Sequence, residues 1–173
     1  MGLIALYLAA IVAANLSVAY FGPASTIVNS FLFIGLDLTA RDRLHDAWHG
    51  RGLAWKMTLL IVAGSALSWA LNRDAGPIAL ASFVAFACAG LADAFTYAVL
   101  GKRAQLVRVN GSNVISAAVD SVIFPALAFG WPPLWWIIAG QFAAKVAGGF
   151  IWSLVLRQAA GPAAGLHGGR EGE

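Results

Sequence analysis

The chain has 173 residues, 60% of them hydrophobic and only 11% charged, against roughly a quarter charged in an ordinary soluble domain. A single core of this size cannot hide so much apolar surface from water, so a soluble globular domain is excluded and lipid is the expected solvent. The formal charge of +3 calls for no nucleic-acid partner, and the lone cysteine, Cys88, excludes a disulfide framework or a cysteine metal site.

Apolar runs of roughly 17 to 25 residues between polar breaks predict six membrane helices in an all-α polytopic bundle. The first, 3–21, lacks the basic leader and small-residue cleavage site of a secretory signal and is expected to be retained. The second, 24–40, follows the break Gly22-Pro23 and contains Asn29 and Asp37. The third, 55–71, ends at Asn72-Arg73-Asp74, and the fourth, 76–100, contains Asp93. The fifth, 113–131, is expected to start after Asn110-Gly111-Ser112 and contains Asp120. The sixth, 134–156, follows Pro132-Pro133 and contains Gln141 and Lys145. Residues 1–157 thus form one six-helix domain, and 158–173, small and polar, form a mobile tail.

Alternation across the bilayer gathers Arg41, Arg43, Arg51, Lys56, Lys102, Arg103, Arg108, Arg157 and Arg170 on one face, nine of the eleven basic residues. The positive-inside rule makes that face, with both termini of this multi-pass protein, cytoplasmic. Trp131, Trp135 and Trp136 then fall at the external interface, where indole rings sit among headgroups. Two runs of three helices, with Asp37 and Asp120 each in a second helix, match what inverted halves would produce.

Four charged side chains fall inside predicted spans: Asp37, Asp93, Asp120 and Lys145. Each costs about 2.5 to 3.5 kcal/mol at a helix centre, so they are expected to face one another or a wet cavity. Counting from the basic loops places them between the cytoplasmic edge and mid-membrane, with Asp93, Asp120 and Lys145 able to share one depth. Lys145 neutralises one acid at most, which leaves a carboxylate for a ligand, a proton or a hydrogen-bonded network. Asp37 is close enough to the interface to snorkel. Asn15, Asn29, Asn113 and Gln141 add groups that both donate and accept, with Ser112 or Asn113 equally readable as a helix N-cap. Pro125 and Gly148-Gly149 are candidate bending points.

LDLTAR, Leu36 to Arg41, and SNVISAAVDSVIF, Ser112 to Phe124, resemble the queuosine precursor transporter family, also called the VUT family. Its Asp-Leu-Thr-x-Arg-like motif at the end of the second helix corresponds to Asp37, Thr39 and Arg41 here. Its Asn before an Asp-Ser/Thr-x-x-Phe element corresponds to Asn113, Asp120, Ser121 and Phe124, and its Phe-x-x-Lys-like element to Phe142 and Lys145. Asp93, followed by Lys102-Arg103, fits the family's approach to the cytoplasm. The chain departs from the pattern in its compact loops and in Asp-Arg-Leu-His after LDLTAR, where members often carry a glycine.

The resemblance implies uptake across the cytoplasmic (inner) membrane of deazaguanine bases, the cyano or aminomethyl precursors of queuosine, a modified nucleoside of tRNA. It implies no enzymatic step and no cofactor or metal. The implied partners are a nucleobase-like small molecule and the bilayer, with a second copy of the chain allowed. A carboxylate suits the guanine-like edge, which presents adjacent N–H and amino donors. Asp37, Asp93 or Asp120 would accept them, Asn113, Asn29 or Gln141 would meet the carbonyl, and Phe124, Phe142 or Tyr97 would stack on the ring. Arg41 and Lys145 complete the expected site.

Two rivals remain. Small six-helix proteins also serve as substrate-binding subunits of energy-coupling ATPase-driven vitamin transporters. DLTARDRLHD superficially resembles the Asp-rich motif of intramembrane metal-dependent phosphotransferases, but the spacing differs and no second paired-Asp element follows. His45 and His49, four apart, have a metal-compatible spacing. A wet amphipathic cytoplasmic segment with Trp48 at the interface is the favoured account of that run.

Overall fold

A computed structural model describes residues 2–33, 52–101 and 103–159. Asp37, Thr39, Arg41, His45, His49 and the tail from residue 160 lie outside the described residues. The described residues form six helices, with no strand among them: α1 (Gly2–Phe21), α2 (25–33), α3 (Leu53–Leu71), α4 (Ala75–Val99), α5 (Gln105–Phe129) and α6 (Trp135–Ala159).

Short turns join α1 to α2, α3 to α4, and α5 to α6, defining a hairpin end of the bundle. At the first turn Gly22 takes φ 74°, and its N–H donates to the Val18 carbonyl at 2.9 Å. A side chain there would strain the backbone, and glycine ends the helix cleanly. At the second, the Asp74 N–H donates to Asn72 Oδ1 at 3.0 Å, an Asx turn that reverses the chain in three residues. The third contains Pro132-Pro133, the Trp131–Pro132 peptide being cis.

Ile4–Phe21, Ala75–Val99 and Asn110–Phe129 are long and apolar enough to cross a bilayer, while the apolar run of α3, Thr58–Leu71, is shorter. Large apolar side chains point outward along these helices, among them Leu80, Leu91, Phe95, Val122 and Leu127. Lipid is the solvent that accepts such a surface. Tyr20, Phe21, Trp69, Trp131, Trp135 and Trp136 stand exposed around the hairpin end. That is the girdle expected where aromatic rings meet headgroups.

The tightest helix pair is α4 with α5. Its close approach suits small residues: Ala81, Ala85 and Ala89, four apart on α4, and Ser112 on α5 are all buried. Without a hydrophobic drive between helices in lipid, such stripes let backbones gain dispersion contacts. α1 packs on α3 and α4, and α5 on α6.

The fifth helix differs from expectation. It begins at Gln105, after the extended residue Ala104, and runs straight through Asn110-Gly111-Ser112. Gly111 lies against Leu100, whose Cδ1 would be 3.0 Å from an added Cβ, and Ser112 is buried. Packing against the end of α4 overrides the local turn chemistry. Neither Ser112 nor Asn113 is an N-cap; both lie inside α5.

Candidate functional site

Four elements converge on the ion pair of Asp120 and Lys145. The Lys145 ammonium donates to Asp120 Oδ2, to Ser121 Oγ at 3.2 Å and to Gln141 Oε1 at 3.4 Å. Gln141 precedes Lys145 by four residues on α6, one helical turn, so both point the same way. Asp120 and Ser121 are adjacent on α5, and both reach the ammonium because it sits over the groove between them. Gln141 Nε2 donates to Thr26 Oγ1 of α2 at 2.9 Å, and Thr26 Oγ1 donates to the Pro23 carbonyl of the α1–α2 turn at 2.6 Å. Ser121, Gln141 and Thr26 are buried.

The charges themselves are less enclosed, the Lys145 side chain being 13% exposed and that of Asp120 26%. All three ammonium N–H groups are committed. Asp120 is not saturated, because a carboxylate accepts through both oxygens and Oδ1 has no partner among the described residues. A neutralised carboxylate with spare acceptor capacity can receive N–H donors from a small molecule.

At about 1.5 Å per residue, Asp120 lies roughly 14 Å from the Phe129 end of α5 and roughly 22 Å from Gln105. Lys145 lies roughly 15 Å from the Trp135 end of α6. The pair thus lies near the middle of both helices, well away from either end.

The other expected site residues are distributed differently. Asn29 is committed to the α1–α2 seam, donating to Ser17 Oγ at 2.7 Å and the Ala14 carbonyl at 3.3 Å. Asn113 is exposed on α5, two turns from Asp120. Phe124 is half-buried and meets Phe129 edge to face, with centroids 6.0 Å apart. Phe142 is half-buried beside Gln141. Asp93 is half-buried on α4 and makes no ion pair or hydrogen bond with the described residues. Asp37 and Arg41 lie outside the described residues.

Thr26 carried no signal in the sequence, since a hydroxyl in a first helical turn reads as ordinary terminus chemistry. Asn15 donates to Ser68 Oγ at 3.1 Å and Ser68 to the Gly64 carbonyl at 2.7 Å, a buried link between α1 and α3. Only the Asn15 half of that link was visible as an amide in an apolar run.

Two surface hollows accompany these features. One, about 640 Å³, lies between α4 and α5 at the basic end and includes Thr96, Leu100, Asn110 and Gly111. The other lies between α3 and α4. Both are open and apolar, and neither contains Asp120 or Lys145; for a polar ligand the donors and acceptors of the ion-pair cluster outweigh hollow size. Among the described residues no cluster of three or more metal-ligand side chains occurs.

No match was found among curated proteins or among solved structures. The model of a family described as "Putative vitamin uptake transporter" matches residues 23–157, a stretch that holds α2 to α5 whole and most of α6, together with the Asp120–Lys145 cluster. The chain belongs to this vitamin uptake transporter family.

Proposed function

We propose that this membrane transporter takes up deazaguanine bases, the cyano or aminomethyl precursors of queuosine, across the cytoplasmic membrane through six spans with both termini cytoplasmic. The observation that carries the reading is Asp120, held by Lys145 in the middle of α5 with Oδ1 uncommitted among the described residues. The ring N–H and amino group of the base would donate to Asp120, and Gln141 or Lys145 would meet its carbonyl after exchanging a present partner. Phe124 and Phe142, each within one turn of a cluster residue, are the aromatic faces nearest in sequence for stacking. Asp37, Arg41, Asp93, Asn113 and Asn29 remain part of the proposal through the resemblance of their motifs.

Transport is alternating access of the helix bundle around this cluster, with no bond made or broken in the substrate. The distinguishing experiment is uptake into proteoliposomes holding the purified chain alone, comparing both deazaguanines with guanine and adenine. Saturable uptake of a deazaguanine, not competed by adenine, is expected. Uptake that needs added ATPase subunits would replace this reading with that of a substrate-binding subunit.

A further inference from the structure

Thr26 has no role in any motif, yet it is buried in the second residue of α2 and holds two hydrogen bonds in fixed directions. Its single hydroxyl proton goes to the Pro23 carbonyl. Its oxygen can therefore only accept from Gln141, which fixes the amide with Nε2 towards Thr26 and Oε1 towards Lys145. An amide turned the other way would aim its NH₂ at an ammonium, two donors facing each other.

The same stretch of α2 seals against α6. Ile27 lies so close to Gly140 that an added Cβ there would overlap its side chain. Farther along, Trp152 Nε1 donates to the Phe31 carbonyl at 3.0 Å. Of these contacts, only Thr26–Gln141 continues into the ion pair.

We infer that Thr26 is a positioning residue: its hydroxyl orients Gln141, and through it Lys145, so that Asp120 Oδ1 is left facing a ligand while α2 is closed on α6. The inference rests on the reading of the Asp120–Lys145 cluster as the substrate centre. Ligand binding at Asp120 and opening of the α2–α6 seam at the hairpin end are then two ends of one hydrogen-bonded chain.

The test uses the full chain with Thr26→Val, which removes the hydroxyl at nearly constant shape, and Thr26→Ser, which keeps it. A single reporter, Ile27→Cys in a Cys88→Ser background, reads the seam through its labelling rate with a bulky water-soluble maleimide in detergent. Equilibrium binding of each deazaguanine reads the site. Asn15→Leu, which cuts a buried hydrogen bond in another seam, is the control for general loosening.

Thr26→Val is expected to raise the labelling rate severalfold and to weaken binding about tenfold, the scale of one buried hydrogen bond. Thr26→Ser and Asn15→Leu should leave both readouts near wild type. Equal labelling of Thr26→Val and Thr26→Ser overturns the inference, as does a labelling difference with unchanged affinity. If the unmutated chain binds neither base, the substrate reading fails separately, and the labelling comparison alone decides whether Thr26 holds the seam.

Discussion

Replacing Lys145 by Met keeps length and apolar character while removing the cation that the described residues bring to the polar cluster. It strands the Asp120 carboxylate and takes the donor from both Ser121 Oγ and Gln141 Oε1. Breaking one side of a fully buried pair costs about 3 to 5 kcal/mol, whereas double-mutant cycles on polar contacts within membranes average about 0.6 kcal/mol. Asp120 is 26% exposed rather than fully buried, which sets the expected cost of Lys145→Met between these values, at about 2 to 4 kcal/mol. Adding Asp120→Asn then removes the stranded charge. The double variant should recover at least about 1 kcal/mol relative to the sum of the two single variants. Reversible unfolding in mixed detergent micelles, followed through the fluorescence of the seven tryptophans, measures all four proteins. If the two single costs simply add, the pair is not coupled and the cluster is not built as described.

Further outcomes follow from the packing. Gly64→Val should destabilise by about 1 to 3 kcal/mol, because a Cβ there lies 2.7 Å from Ile11 Cγ2 and 3.0 Å from its Cβ, a branch point that cannot swing away; the same unfolding assay reads it. Asp93→Asn should leave stability within about 0.5 kcal/mol, since Asp93 has no partner among the described residues, while any loss of uptake would assign it to the substrate path. Trp152→Phe should cost about 0.5 to 1.5 kcal/mol by deleting the bond to the Phe31 carbonyl, measured by the shift in unfolding midpoint.

Much of the architecture is legible as hydropathy, because a spanning helix must satisfy its own backbone and announces itself by apolar length. The expected spans 3–21 and 76–100 lie within a residue or so of Gly2–Phe21 and Ala75–Val99. The start of α5 is not legible this way. Asn110-Gly111-Ser112 has the chemistry of a turn, and only its contact with α4, where Leu100 meets Gly111 and Ser112 is buried, makes it helical. The pairing of Asp120 with Lys145 could be anticipated from their depths along adjacent antiparallel helices, because two opposite charges in lipid have few other ways to be satisfied.

The partners of that pair were less visible. Gln141 was singled out as an amide in an apolar helix, but its acceptor, Thr26, is a short hydroxyl brought in from a helix more than a hundred residues away. Asn29, an amide that reads as a ligand contact, also donates to Ser17 Oγ and the Ala14 carbonyl, partners that its sequence did not indicate. Polar residues that bind helices together and polar residues that bind solutes use the same chemistry, and only three-dimensional partners separate them.

The central claim is that Asp120 receives the transported base, and substrate uptake by proteoliposomes containing Asp120→Ala tests it most directly. At equal reconstituted protein and retained fold, uptake of both deazaguanine precursors should fall to the level of empty vesicles. Uptake at the unmutated rate would contradict the account.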